Sequence, residues 1–231
     1  MTIITITFNE EYILPHFIAH YRANFPGCKI IVYDNYSTDN TVKIAQEHGC
    51  EVILYDTGGN LSDATYLQIK NEQWKMCEGW VIVCDADEFL NITADELYHE
   101  AMNGTTVIKS EGYNMANLWD NMDFESINMG VRSESYDKSY CFDAGKITSI
   151  NYNVGCHSAS PQGVVRYSEK KYICRHYKYI NIDYMVARHK VYGERLSDEN
   201  LKKDWGTHYL YSPEKIRNEF IMARKQSKRI L

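Results

Sequence analysis

Trp80–Val81–Ile82–Val83–Cys84–Asp85–Ala86–Asp87–Glu88–Phe89–Leu90 is the stretch on which the fold turns. Five apolar residues in a row after Gly79 predict a strand buried on both faces, as in a parallel sheet. The run then breaks into acids. Ligands of open α/β sheets bind beyond the carboxyl ends of the strands, where Asp85, Asp87 and Glu88 fall. Asp85 and Asp87 are two apart, so in extended backbone their side chains leave on the same side. Two carboxylates so placed repel unless a hard cation lies between them, and Mg or Mn suits oxygen ligands. A solvated acidic turn would carry the same residues, so the flanking chain has to decide.

Upstream, strand and helix alternate. Ile4–Phe8 reads as the first strand. Asn9 can cap the next helix, which carries Leu14, Phe17, Ile18 and Tyr21 on one face and stops at Pro26–Gly27. Pro15 is tolerated near its start. Lys29–Tyr33 is a second strand ending at Asp34–Asn35, and Ser37 or Thr38 caps a helix closed by Gly49. Glu51–Tyr55 is a third strand, and Ser62 opens a helix bearing Leu67 and Trp74. Downstream, Thr93–Ala94–Asp95–Glu96 has the spacing of a capping box, and Thr105–Lys109 is a fifth strand. Four β-α units in a row predict a single α/β domain. Its sheet is mostly parallel, with helices on both faces and right-handed crossovers.

The second half lacks that rhythm. Residues 111–135 are polar and read as a long excursion covering a cleft. Short strands are expected at Tyr140–Phe142, Ile147–Tyr152 and Tyr172–Arg175. Helices are expected at Asp183–Leu196 and Pro213–Lys228, the latter capped by Ser212.

Composition excludes several classes. At 231 residues the chain can bury one substantial core, and 44% hydrophobic content is ordinary for a globular protein. A net charge of −6 argues against a nucleic-acid binder. No apolar run approaches the ~20 residues that span a bilayer. The N-terminus has no basic region or cleavage site, so no signal peptide is expected. The seven cysteines are odd in number and scattered without a C-x-x-C, which fits reduced thiols in the cytoplasm. The Asn-x-Ser/Thr triplets at Asn35, Asn91 and Asn103 are therefore not expected to carry glycans. Arg224, Lys225, Lys228 and Arg229 complement the last helix's macrodipole, with weak membrane-surface contact as the other reading.

Three ordered motifs resemble family 2-type glycosyltransferases of the GT-A fold. They are Thr7–Phe8–Asn9–Glu10–Glu11 with Leu14–Pro15–His16–Phe17–Ile18–Ala19–His20–Tyr21, then Tyr33–Asp34–Asn35–Tyr36–Ser37–Thr38–Asp39–Asn40–Thr41, then Asp85–Ala86–Asp87–Glu88–Phe89. Beyond residue 110 the resemblance loosens to Gly155–Cys156–His157–Ser158 and His176–Tyr177–Lys178. It implies a nucleotide-binding half over 1–110 and an acceptor-binding half over 111–231. It further implies transfer of a sugar from a nucleotide-sugar donor, a UDP-sugar, to a hydroxyl acceptor such as a glycan, with inversion and a divalent metal. By that similarity Thr7, Asn9, Glu10 and Asp34 would hold base and ribose. Asp85, with Ala86 beside it, would face ribose or metal, and Asp87 would ligate the metal. A late histidine would complete the metal site, His157 first and His176 second.

The residues support that chemistry on their own terms. The leaving nucleoside diphosphate develops negative charge that a bound cation can stabilise. Arg188, near Lys178, Lys190 and Arg195, could clamp phosphates or form surface ion pairs. Inversion needs a carboxylate to take the acceptor proton. Asp120 and Asp123, beside Trp119 in the polar excursion, are the candidates by position. A sugar-1-phosphate nucleotidyltransferase would need a Gly-rich, Arg-containing loop where Asn9–Glu10–Glu11 stands. A haloacid-dehalogenase-type phosphatase would need Gly or Thr where Glu88–Phe89 stands. A non-catalytic nucleotide-sugar-binding module would retain the donor residues and lack the base.

Overall fold

The computed structural model describes residues 1–230. The first half is built from β1 (Thr2–Thr7), α1 (Leu14–Asn24), β2 (Lys29–Asp34), α2 (Thr41–Glu47), β3 (Glu51–Leu54), α3 (Asp63–Glu72) and β4 (Trp80–Val83). It continues through β5 (Glu88–Leu90), α4 (Ala94–Met102) and β6 (Val107–Ala116). The second half holds β7 (Met129–Arg132), β8 (Cys141–Asp143), β9 (Ile147–Ser149), β10 (Gln162–Gly163) and β11 (Tyr167–Tyr179). It closes with α5 (Ile182–Glu194), α6 (Asp198–Lys202), α7 (Pro213–Gln226) and β12 (Lys228–Arg229).

β1 is the centre of the sheet, and all six of its residues are buried. It pairs in parallel with β2 on one side and β4 on the other, aligning Thr7 with Asp34 and Ile4 with Val83. β3 continues the parallel part beyond β2. The chain therefore reverses its direction of travel across the sheet at β1, the switch point where open α/β sheets leave a crevice. The acids that follow β4 open into it. Beyond β4 the sheet is extended by antiparallel β8, which separates β4 from β6. β6 pairs with β8 at its start and β7 at its end, while β11 runs parallel to it and carries β5. One contiguous core joins the two halves, from Ile3 and Phe17 through Trp74 and Val81 to Phe142 and Cys174. Each fully buried aliphatic or aromatic side chain there contributes about 1.5–3 kcal/mol.

The helix starts are partly as expected. Thr93 and Glu96 form the full capping box, and Ser62 and Ser212 cap their helices. Asn9 does not cap α1, which starts after Ile13 with no side-chain cap. Asn9 instead sits at φ 54°, donating its N–H to Ser37 Oγ and accepting the Thr38 N–H. Ser37 and Thr38 are thereby committed to the first-strand loop, and Asp39 accepts the Thr41 N–H at the start of α2. The supposed excursion over 111–135 is strand near both ends, because β6 runs on to Ala116 and β7 begins at Met129. Its polar residues alternate along a strand that is solvated on one face. Lys228–Arg229 leave the last helix and pair with β7. All seven cysteines are free.

Candidate active site

A cavity of about 520 Å³ opens at the carboxyl ends of β1 and β4. Phe8 and Glu10 after β1, the Asp85–Glu88 turn, Lys70 from α3, Lys138, His176 from β11 and Arg188 from α5 all face it. Gly155–His157 and Trp205–Tyr209 complete the wall.

Each acid of the turn faces a different cation. Lys70 Nζ donates to Asp85 Oδ1 at 2.6 Å. Lys138, buried, pairs with Glu88. Arg188 Nη1 lies 3.1 Å from Asp87 Oδ2, and its Nη2 donates to Glu10 Oε1 at 2.6 Å. Burial alone would raise the Asp87 carboxyl, yet Arg188 and then His176 outweigh it and hold the pKa well below the usual carboxylate range. Asp85 is likewise lowered, because Lys70 and Lys138 overcome its burial. Lys70 is raised well above its ordinary value by Asp85, against burial. The Lys70–Asp85 and Arg188–Asp87 pairs are therefore charged at neutral pH.

Glu10 behaves differently. It is 3% exposed, and burial raises its carboxyl from 4.5 to about 7 although Arg188 pulls the other way. Tyr192 OH donates to the same Oε1 at 2.6 Å. Oε2 is buried with no partner.

Asp87 Oδ2 lies 3.6 Å from His176 Nε2. The other ring nitrogen, Nδ1, is 2.7 Å from Asn114 Oδ1. An amide oxygen only accepts, so Nδ1 carries a proton, and Nε2 is the ring nitrogen turned toward the carboxylate. The ring is stacked on Tyr136 at 3.9 Å. Two electron-pair donors at that separation suit a cation with bonds near 2.1 Å. Among the described residues no group of three or more His, Cys, Asp or Glu side chains could hold a metal ion. A Mg-like cation commonly takes only one or two protein ligands and completes its shell with substrate phosphates and water. The donor set fits that mode.

The residues singled out in the sequence fall in different places. Of the two histidines, the one at Asp87 is His176. His157 lines the same cavity, but its Nδ1 is held by Ser135 O at 2.9 Å. Asp85 is paired with Lys70. Asp34 is fully buried. Its oxygens accept from Thr7 Oγ1, Ser37 N and Ser37 Oγ at 2.9, 2.8 and 2.6 Å. Asp34, Thr7 and Asn9 therefore brace the loops under the crevice and do not line it. Ala86, Arg188 and Glu10 do line it. Asp120 and Asp123 are both outside the cavity. The Asp120 side chain is 85% exposed and ion-paired with Arg224 at 2.8 Å.

Sequence reasoning missed Lys70, Lys138 and Asn35. Asn35 lines a second hollow of about 390 Å³ that shares Phe8 with the main cavity. There the Arg195 guanidinium lies 3.2 Å from the centroid of the Phe8 ring, with its Nη1 buried and unpartnered. No local signal marks Lys138. Lys70 stood on a helical turn with nothing to show which way it faced.

Residues 2–109 match the family model described as Glycosyl transferase family 2. This is the stretch that carries the motifs, and it makes up just under half of the chain. No curated protein matches the chain. Among solved structures, S. aureus TarS 1-349 is 16% identical over 95% of this chain and 70% of its own, with a TM-score of 0.47. The mannosyltransferase PcManGT from Pyrobaculum calidifontis, in complex with GDP-Man and Mn2+, is 13% identical over 82% of this chain and 60% of its own, with a TM-score of 0.42. Glucosyl-3-phosphoglycerate synthase from Mycobacterium tuberculosis, in complex with Mn2+, UDP and glucosyl-3-phosphoglycerate, is 18% identical over 48% of this chain and 43% of its own, with a TM-score of 0.36. The chain spans 42% of a longer TarS structure. No helix of the described residues is long and apolar enough to cross a membrane.

Proposed function

We propose that the chain transfers a sugar from a nucleoside diphosphate donor, a UDP-sugar, to a hydroxyl acceptor such as a glycan, with a divalent cation held by Asp87 and His176. The observation that carries this reading is the facing pair Asp87 Oδ2 and His176 Nε2, ringed by Arg188, Lys138 and Lys70 at the sheet's switch point. That combination suits a diphosphate and its metal. The second hollow, with Phe8, Asn35 and Arg195, offers a ring face and polar atoms for the base.

A cation bound there supplies Lewis-acid stabilisation of the leaving diphosphate. The remaining work belongs to the chain. Arg188 and the two lysines bring positive charge to the side of the cavity where negative charge would develop. Asn114 and Tyr136 fix the orientation of the His176 ring. Inversion requires a base, and among the lining acids Asp63 and Asp204 are in no ion pair. Asp63 is raised by burial, which suits proton acceptance. Seven free cysteines support a reducing compartment, the cytoplasm.

The test is a thermal-shift panel of nucleoside diphosphates with and without Mn2+. UDP should raise the midpoint in a metal-dependent way, and Asp87→Asn should abolish that rise while leaving the unliganded midpoint within a few degrees. A metal-independent shift, or no shift with any nucleotide, would refute the assignment.

A further inference from the structure

Arg188 is the one cation of the cavity that serves two acids. Lys70 is spent on Asp85 and Lys138 on Glu88. Arg188 bridges Glu10 at 2.6 Å through Nη2 and Asp87 at 3.1 Å through Nη1. The two ends are held differently. On the Glu10 side, Tyr192 OH shares the same oxygen at 2.6 Å, and the Tyr192 ring lies 5.2 Å from the guanidinium carbon. On the Asp87 side, Nη1 rests on the very oxygen that faces His176 Nε2. The cation that would sit between Asp87 and His176 therefore meets a positive charge already in place.

We propose that Arg188 is a gate between metal and diphosphate: it occupies Asp87 in the empty cavity and yields that oxygen to a divalent cation only when a diphosphate arrives to take up the freed Nη1. This rests on the functional reading above and adds a coupling to it. Two like charges a few ångströms apart in a buried site repel strongly, so the metal alone is disfavoured. A diphosphate between them attracts both, and the repulsion becomes a shared contact. No large movement is needed, because Glu10 and Tyr192 keep Nη2 anchored while only the partner of Nη1 changes. Metal and nucleotide must then raise each other's affinity by the same factor, and Arg188 carries that factor. Glu10 acts here as a positioning residue.

A plain structural ion pair predicts otherwise. If Arg188 only braces α5 against β1, its removal lowers stability and leaves the coupling untouched.

The experiment is calorimetric titration of the full chain at pH 7.5 with Mn2+, with UDP, and with each in the presence of the other. In the wild type, saturating UDP should tighten Mn2+ binding at least tenfold. In Arg188→Met, Mn2+ alone should bind at least tenfold tighter than it binds the wild type alone, and UDP should then add less than threefold. Arg188→Lys keeps a charge that cannot span both acids, so its coupling should fall between the two. It also serves if the Met variant fails to fold. Unchanged Mn2+ affinity in the variants, or wild-type coupling in them, overturns the gate alone. A wild type that binds neither Mn2+ nor UDP overturns the gate and the functional reading together.

Discussion

Glu10→Gln isolates one buried carboxyl whose energetics can be worked from its surroundings. Glu10 is buried at the end of β1, with Arg188 and Tyr192 on Oε1 and nothing on Oε2. Its pKa rises from 4.5 to about 7, because the cost of burying the charge exceeds what Arg188 returns. Between those two values the native carboxyl keeps a proton that the unfolded chain has lost. The native state then binds more protons, so stability falls as pH rises through this window. The contribution is complete below about pH 4.5 and gone above about pH 7. At about 1.4 kcal/mol per pH unit, the rise corresponds to a ceiling of about 3 kcal/mol.

Glutamine keeps the shape and the acceptor oxygen but cannot titrate. The wild type's stability relative to Glu10→Gln should therefore fall by up to ~3 kcal/mol from pH 5 to pH 8. Asp87 and Asp85 are lowered and titrate below this range. The histidines are common to both proteins and cancel in the difference. Urea unfolding followed by circular dichroism at pH 5, 6, 7 and 8 measures it. A difference that stays flat with pH, or grows in the wild type's favour as pH rises, would refute the burial argument.

Three further outcomes follow from the packing. Lys138→Met strands Glu88 as an unpaired buried charge and should cost about 3–5 kcal/mol in urea unfolding, with the added Glu88→Gln change recovering part of it. Asp120→Asn removes only an exposed pair with Arg224, so it should change stability by less than about 1 kcal/mol. Turnover should stay within about twofold, whereas a ~100-fold loss would return Asp120 to the mechanism as its base. Thr93→Ala breaks the capping box of α4 and should cost about 1 kcal/mol, read as a lowered urea midpoint at unchanged slope.

What the sequence determined by itself was local and periodic. A strand buried on both faces is an unbroken apolar run, so Trp80–Val83 and the acids after it were legible without coordinates. The caps at Ser62, Thr93 and Ser212 involve residues three apart, and spacing alone identifies them. The β-α alternation of the first hundred residues fixed the parallel part of the sheet for the same reason. Where the pattern was polar and alternating, as over 111–116, a strand passed for a loop.

The charges of the site were decided only in three dimensions. Asp85, Asp87 and Glu88 are adjacent in sequence, yet their cations come from α3, from the segment before β8 and from α5. Nothing local links Glu10 to Arg188, 178 residues away. Asp34 and Asp120 show the same limit from opposite sides: one is sealed beneath the crevice by Thr7 and Ser37, the other is held at the surface by Arg224. His176 reached Asp87 because β11 pairs with β5 in a register that sets His176 opposite Glu88. An acid's role depends on how far it is desolvated and which charge faces it, and long-range packing sets both.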